Sequence, residues 1–375
     1  MNKELYVIQP LIAGYRRELL ATLGANYQLV VLSDHMREGK KGFSAATLEA
    51  SQSRIDTRIF KLFSGKLSYQ TKVLTRPYRS GDAAIIFADP RFISFWLLLL
   101  LARLRGVKVF AHGQGNYAHP SASFFRRLMY KTMCKLAHRY VCYNEFVRAA
   151  MLRIGCDSGK LSVAENSTQI DLPVGPEGKD YTADGVLFIG RLRHGCSLEI
   201  AVEAISELRK QFPDACLHVI GGGEDEQRYR REFSYLDWVH FYGSLYDGKQ
   251  ISSISSRCRV GCYPGSAGLS VVHYFALSLP AVLHSEIHLH MGPEPAYVAD
   301  GVNGFLFKPG LNPVIALTES LQRAWNLPAS KLRKIGEHAF TTYQNLTNPT
   351  LGQRFVRILD EGEFKPTTRR VASRQ

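Results

Sequence analysis

Short apolar runs alternate along the chain with stretches whose apolar residues recur every three or four positions. The runs at 5–9, 28–32, 83–88, 107–111 and 140–143 read as strands of a first half. Those at 186–189, 216–220, 239–242, 260–263, 281–283 and 305–307 read as strands of a second. Between them lie helical patterns such as 197–212, where Leu198, Ala201, Val202, Ile205 and Leu208 share a face. Ser197 stands there at the N-cap position, and Arg209 and Lys210 occupy the last turn before Pro213. Such alternation predicts an α/β chain of two doubly wound, parallel-sheet domains with a cleft between them.

The polar stretch 169–185 has no periodicity and is expected to link a first domain, 1–168, to a second, 186–345. A helix over 346–362 is expected to pack back on the first domain, and 363–375 to form a basic, flexible tail. A chain of 375 residues suits two cores better than one. Its seven cysteines include no C-x-x-C pair, which favours a reducing compartment and no structural zinc. The opening apolar run is too short for a signal peptide. The longest, 92–102, has eleven residues, against roughly 20 for a spanning helix; it reads as a helix buried on several sides or one touching a membrane shallowly.

Net charge is +14, and its location matters more than its size. Residues 1–165 carry 25 Lys+Arg against 11 Asp+Glu, whereas 166–375 carry 22 of each, so the whole excess lies in the first half. The densest basic element is 124–139. Arg127, Lys131, Lys135 and Arg139 follow at i,i+4 along one stripe, and Phe125, Met129, Met133 and Leu136 along another. The helix is either a solvated surface element or one that meets an anionic membrane. At about 1 kcal/mol per cation near an anionic leaflet, four suffice for reversible attachment. No nucleic-acid-binding module accompanies the charge, so nucleic acid is not expected as a partner.

In open parallel sheets ligands collect beyond the carboxyl ends of strands. Gly190 and Arg191 directly follow one strand, where a fixed guanidinium suits a diphosphate. Another strand ends in Gly221, Gly222 and Gly223, which match neither a dinucleotide fingerprint nor a P-loop. After the strand ending at Tyr263 comes a loop of small residues, and Ser270 is placed to cap a helix running to about Leu277. Free N–H groups at such a helix start hold anions.

Gly190-Arg191-Leu192, the segment 264–280 and the segment 290–307 together resemble the carboxyl-terminal donor domain of a GT-B glycosyltransferase of family 4. In the first half the segment 10–16, the loop His112–Gly115, Tyr143-Asn144 and Glu165-Asn166-Ser167 are similar to landmarks of that family, so the resemblance covers about 5–360. It implies a GT-B fold, with two Rossmann-like domains facing a central cleft, a nucleoside-diphosphate-sugar as donor substrate, no cofactor and no metal. By position, Arg191 would bind the donor diphosphate. Gly190, Gly222, Gly268, Leu269 and Ser270 would bring main chain to the phosphates and sugar. Gly14 would let the first domain's loop close over the donor, and His112 would stand near the transferred sugar and acceptor.

The family's two glutamates are replaced by Gly265 and His273, and its phosphate lysine by Cys196. A subgroup resemblance, Pro-Gly-x-x-Gly-Leu-Ser-x-x-His with a downstream Pro293-Glu294, accommodates these departures. His273 is either a donor contact or a helix-packing residue; Glu294 is either a site acid or a charge at a helix start. The implied activity is retaining transfer of a hexosyl unit to a lipid-linked or oligosaccharide acceptor in bacterial surface polysaccharide assembly (lipopolysaccharide O-antigen, capsule or exopolysaccharide). The expected location is the inner face of the cytoplasmic membrane, held peripherally. Two rivals are a nucleotide-sugar epimerase on the same fold and a catalytically degenerate interaction subunit.

Overall fold

The computed structural model describes residues 3–34, 53–117 and 123–365. The chain divides into two compact units, Met1–Thr168 with Pro349–Gln375, and Gln169–Asn348. The first is built on a seven-stranded sheet ordered β3-β2-β1-β6-β7-β8-β9, every pair parallel. Its strands are β1 (Glu4–Ile8), β2 (Gln28–Ser33), β3 (Ser53–Asp56), β6 (Ala83–Phe87), β7 (Lys108–Gly113), β8 (Arg139–Cys142) and β9 (Leu161–Val163). An antiparallel hairpin, β4 (Ile59–Leu62) and β5 (Leu67–Gln70), precedes β6.

Helices α1 (Arg17–Asn26), α2 (Ile93–Arg105), α3 (Phe124–Leu136) and α4 (Glu145–Arg153) connect these strands, and α11 (Leu351–Glu361) completes the unit. Leu351, Phe355, Ile358 and Leu359 of α11 share a core with Leu19, Leu20 and Leu23 of α1 and with strand residues Leu5, Val7, Leu29 and Phe110. A capping box between Thr350 and Gln353 starts α11 cleanly.

The second unit holds a six-stranded parallel sheet ordered β12-β11-β10-β13-β14-β15. Its strands are β10 (Gly185–Ile189), β11 (Cys216–Ile220), β12 (Val239–Gly243), β13 (Cys258–Cys262), β14 (Ala281–His284) and β15 (Gly304–Phe307). Its helices are α5 (Leu198–Leu208), α6 (Glu226–Phe233), α7 (Gly248–Ser255), α8 (Ser270–Ala276), α9 (Pro313–Trp325) and α10 (Ala329–Thr347). Both sheets are the parallel, Rossmann-like type that strand–helix alternation predicts.

Several local expectations are corrected. The stretch 169–185 does not hang between units. Ile170 N–H donates to the Tyr343 hydroxyl (3.0 Å), Val174 N–H to the Ala276 carbonyl (2.8 Å), and Tyr181 is buried. Ser197 does not cap α5: it sits in the left-handed region at φ 57 with no side-chain capping bond. The tail is anchored at its start, because Phe364 is 1% exposed and stacks on Tyr27 at 5.2 Å; Arg369, Arg370 and Arg374 lie outside the described residues.

Candidate functional site

Two glycine loops meet where β10 and β11 end. Gly190 N–H bonds the Ile220 carbonyl and Leu192 N–H the Gly222 carbonyl, each at 3.0 Å, so the loops run main chain against main chain. A methyl group at Gly221 would fall 1.8 Å from the Gly190 oxygen. One at Gly190, whose φ is 153, would fall 2.7 Å from the Tyr263 ring and 3.0 Å from Ser270 Oγ. Only glycine fits this approach, and it brings Gly190, Gly222, Tyr263 and Ser270 to one strand edge. Arg191 extends from the same loop, half-buried with its Nε shielded from solvent, and its carbonyl accepts from the Tyr263 hydroxyl at 3.4 Å. Burial raises the Tyr263 pKa, and the charges of Arg193 and Arg191 oppose that rise.

The loop between β13 and α8 is clamped from two sides. Ser266 N–H donates to Gly195 O (2.8 Å), and Arg193 donates to Ser266 O (3.0 Å) and His194 O (2.9 Å). Opposite, Ala267 N–H donates to His290 Nδ1 at 3.2 Å, and Met291 N–H returns to Ala267 O at 3.0 Å. Since Nδ1 accepts, the proton of neutral His290 lies on Nε2, which donates to His284 O at 2.9 Å. Burial pushes the pKa of His290 down to about 3 and that of His284, stacked on it at 3.7 Å, to about 4.

The clamped loop opens into α8. Ser270 is its first residue and not its cap; Leu269 holds the cap position without a side-chain bond. Val271 and Val272 N–H groups turn back to Gly268 and Leu269, whereas the N–H groups of Gly268, Leu269 and Ser270 have no main-chain partner among the described residues. Glu294, 2% exposed at the start of a 3₁₀ turn, bends toward this loop: its Oε2 lies 3.7 Å from where a Gly268 Cβ would be. His273, one turn into α8, has a buried Nδ1 without a partner among the described residues, and burial lowers its pKa to about 4.

Two departures from the pattern that the sequence resembles, at Gly265 and Cys196, have a structural basis. A Cβ at Gly265 would be 2.3 Å from Gly195 O, so no glutamate fits there. Cys196 is fully buried, with Sγ 3.4 Å from the Tyr229 hydroxyl, which in turn bonds Glu199 at 2.7 Å. It packs in the core and cannot stand in for a phosphate lysine. Arg193 and His290, which shape the loop, carry no motif of their own in the sequence. Arg193 is two residues after Gly-Arg, but nothing local marks His290, 23 residues beyond its partner.

In the first unit, Gly14 opens a 3₁₀ turn, Gly14–Arg16, just after β1. His112, near the end of β7, is 1% exposed. Its ring lies 4.5 Å from that of Tyr143 and 4.8 Å, edge-on, from that of Phe355. Burial, then the charge of Arg16, holds its pKa well below the usual imidazole range, so it is neutral, and Nε2 is buried without a partner among the described residues. The loop after His112 is fixed by Gly115 N–H on the Tyr140 hydroxyl (3.0 Å), and Asn144 caps α4 through Val147 N–H (2.9 Å).

The basic stripe is shorter than expected. α3 ends at Leu136, so Arg139 starts β8, where it donates to Ser162 Oγ (3.1 Å) and pairs with Glu361 (3.8 Å). Arg127, Lys131 and Lys135 remain exposed on α3. The buried face is Tyr130, Met133 and Cys134, whereas Phe125, placed in the apolar stripe by periodicity, is 74% exposed beside exposed Phe124, Leu128 and Met129. α2 likewise buries Phe95, Leu98 and Leu99 but leaves Leu97, Leu100 and Leu104 exposed. No helix among the described residues is long and apolar enough to cross a membrane.

Residues 175–341, most of the second unit, match the family model for glycosyl transferases group 1. The O-antigen biosynthesis glycosyltransferase WbnH of Escherichia coli is 37% identical over 60 residues, spanning 16% of this chain and 17% of that protein. Among solved structures, Anabaena Alr3699/HepE, crystallised with UDP, aligns over 96% of this chain and all of its own, at 15% identity and TM-score 0.65. The pneumococcal O-GlcNAc transferase GtfA, crystallised with UDP and GlcNAc, aligns over 96% and 99% at 9% identity and TM-score 0.69. Sucrose-phosphate synthase of Thermosynechococcus elongatus aligns over 96% and 99% at 16% identity and TM-score 0.68. The fold is that of the GT-B glycosyltransferases.

Proposed function

We propose that the protein is a retaining glycosyltransferase that moves a hexosyl unit from a nucleoside-diphosphate-sugar to a lipid-linked or oligosaccharide acceptor in bacterial surface polysaccharide assembly. The observation that carries this reading is the strand edge where Gly190, the neighbour of Arg191, meets Ser270, at the start of a helix whose Gly268, Leu269 and Ser270 N–H groups have no main-chain partner among the described residues. It lies in the unit that matches the group 1 family. Main-chain N–H groups and a fixed guanidinium suit a diphosphate, and UDP is the ligand of the structural neighbours HepE and GtfA. The short WbnH match favours surface polysaccharide as the product class.

In the proposed reaction the bond from the sugar's anomeric carbon to the β-phosphate oxygen breaks, and the acceptor oxygen bonds to the same face. The departing diphosphate takes the acceptor's hydroxyl proton. Arg191 and the amides stabilise charge growing on that leaving group, as preorganised donors do. His273 and Glu294 complete the donor side. Neutral His112 offers a hydrogen bond to sugar or acceptor on the first unit, and Gly14 keeps that unit's loop slim. No metal or cofactor takes part in the proposal. The exposed cations and aromatics of α3, with Leu97, Leu100 and Leu104 of α2, hold the enzyme peripherally on the anionic inner face of the membrane.

A thermal-shift panel of UDP-, GDP-, ADP- and CMP-sugars tests the reading. At 100 times its Kd the true donor adds about 2.7 kcal/mol of stability. Silence across the panel would favour the degenerate subunit, for which the loss of carboxylate and lysine at Gly265 and Cys196 is the supporting observation. Conversion of the donor to an epimer without acceptor would favour the epimerase.

A further inference from the structure

The first unit contains a buried charge for which no ion-pair partner is found among the described residues. Arg16 closes the turn after β1, is 4% exposed, and its Nη1 is buried with no hydrogen-bond partner among the described residues. Its guanidinium carbon lies 5.1 Å from the centre of the Tyr15 ring and 5.9 Å from that of Tyr143. Four acids at the same carboxyl edge of the sheet have other partners. Asp34 accepts from Ile59 N–H (3.2 Å), Asp89 binds Arg91 (2.6 Å), Glu145 pairs with Arg148 (3.4 Å) and Glu165 with Arg354 (2.7 Å). His112, close enough for its proton affinity to be lowered by Arg16, stays neutral and adds no second positive charge.

Aromatic faces offset only part of the cost of desolvating a guanidinium, and an unpaired buried ion is among the least favourable arrangements a fold retains. Retention makes sense if a ligand brings the missing anion. The half of the chain that holds Arg16 also holds the entire +14 excess, which suits a phosphoryl group better than a single carboxylate. Resting on the reading that this unit receives the acceptor, we propose that Arg16 is the base of an anion site that binds a phosphate or pyrophosphate group of the acceptor. The planar fork of Arg16 grips the oxygens, and the Tyr15 and Tyr143 rings fix its plane. A diphosphate on the donor has the same chemistry, so the test must separate the two sources.

The test uses the full chain, titrated first with UDP and then, with UDP saturating, with farnesyl diphosphate; farnesol is the uncharged control. In the wild type, farnesyl diphosphate is expected to bind on top of UDP and farnesol not to bind. Arg16→Gln should leave the UDP Kd within about twofold while weakening farnesyl diphosphate by about 100-fold. Arg16→Lys should weaken it by about tenfold, because a point charge lacks the fork. The unliganded melting midpoint of Arg16→Gln should match or exceed that of the wild type, which a purely structural cation would not allow. Unchanged farnesyl diphosphate affinity in Arg16→Gln overturns the proposal. So does competition between farnesyl diphosphate and UDP in the wild type, which would assign Arg16 to the donor diphosphate. Failure of UDP to bind either protein strikes the donor reading instead, and farnesyl diphosphate titrated into the unliganded proteins then decides Arg16 alone.

Discussion

At the residue scale, the candidate donor site depends on few side chains, and those few do different work. Arg191 is the one cation proposed to meet the diphosphate, so Arg191→Ala should lower kcat/KM for the donor by about 10² or more, with little change in melting temperature. Steady-state kinetics with a spectrophotometric assay of released nucleoside diphosphate would check it; unchanged kinetics would remove Arg191 from the mechanism. His290 acts one step back, holding Ala267 through a lone pair that protonation would remove. His284 and His290 have folded pKa values of about 4 and about 3, below the ordinary value of 6.5, so the unfolded chain binds more protons than the folded one in that interval. Their contribution to stability is therefore whole above pH 6.5 and declines as pH falls toward 4, by up to about 1.4 kcal/mol per pH unit for each histidine. Denaturant titrations at pH 7, 6, 5 and 4 should show that slope, and His290→Asn should reduce it by about half.

At the scale of elements, α3 exposes Phe124, Phe125, Leu128 and Met129 together with Arg127, Lys131 and Lys135, and α2 exposes Leu97, Leu100 and Leu104. Reversing Arg127, Lys131 and Lys135 to glutamate should release the protein from vesicles containing anionic lipid, with sedimentation at low salt as the readout. Binding that survives would show the helix to be a solvated face. The same two helices show how far sequence carries. Apolar runs such as those of β1, β6 and β10 announce themselves, because both faces of a parallel sheet are covered and nearly every position is buried. β3 and β9 give no such signal: one is four residues with an exposed or half-buried pattern, the other only three residues long, and their pairing comes from neighbouring strands. An i,i+4 count places Arg139 on α3 because it cannot see that Ala137 turns extended. The Gly-Arg loop and the small-residue turn were legible because glycine at a strand end has a local cause. The His290 clamp was not, since only the folded sheet brings residues 267 and 290 together.

At the scale of the whole molecule, the second unit is one uninterrupted stretch of chain, whereas the first is assembled from two separated ones. Phe355 is fully buried in the core between α1 and the first sheet. Phe355→Ala should cost about 3–5 kcal/mol, seen as an early transition in calorimetry with the transition of the second unit unmoved. Removing everything from Pro349 onward should unfold the first unit while sparing nucleotide binding by the second. Discontinuity also sets an order of birth on the ribosome. Residues 169–348 can collapse as soon as they leave the exit tunnel, but the earlier-made sheet must wait, with the apolar side of α1 uncovered, for α11 to arrive. The earlier-made unit thus matures after the later-made one. Holdase chaperones have longest to act there, and a polypeptide truncated between the second unit and α11 would carry a sound carboxyl-side lobe attached to an aggregation-prone amino-side one.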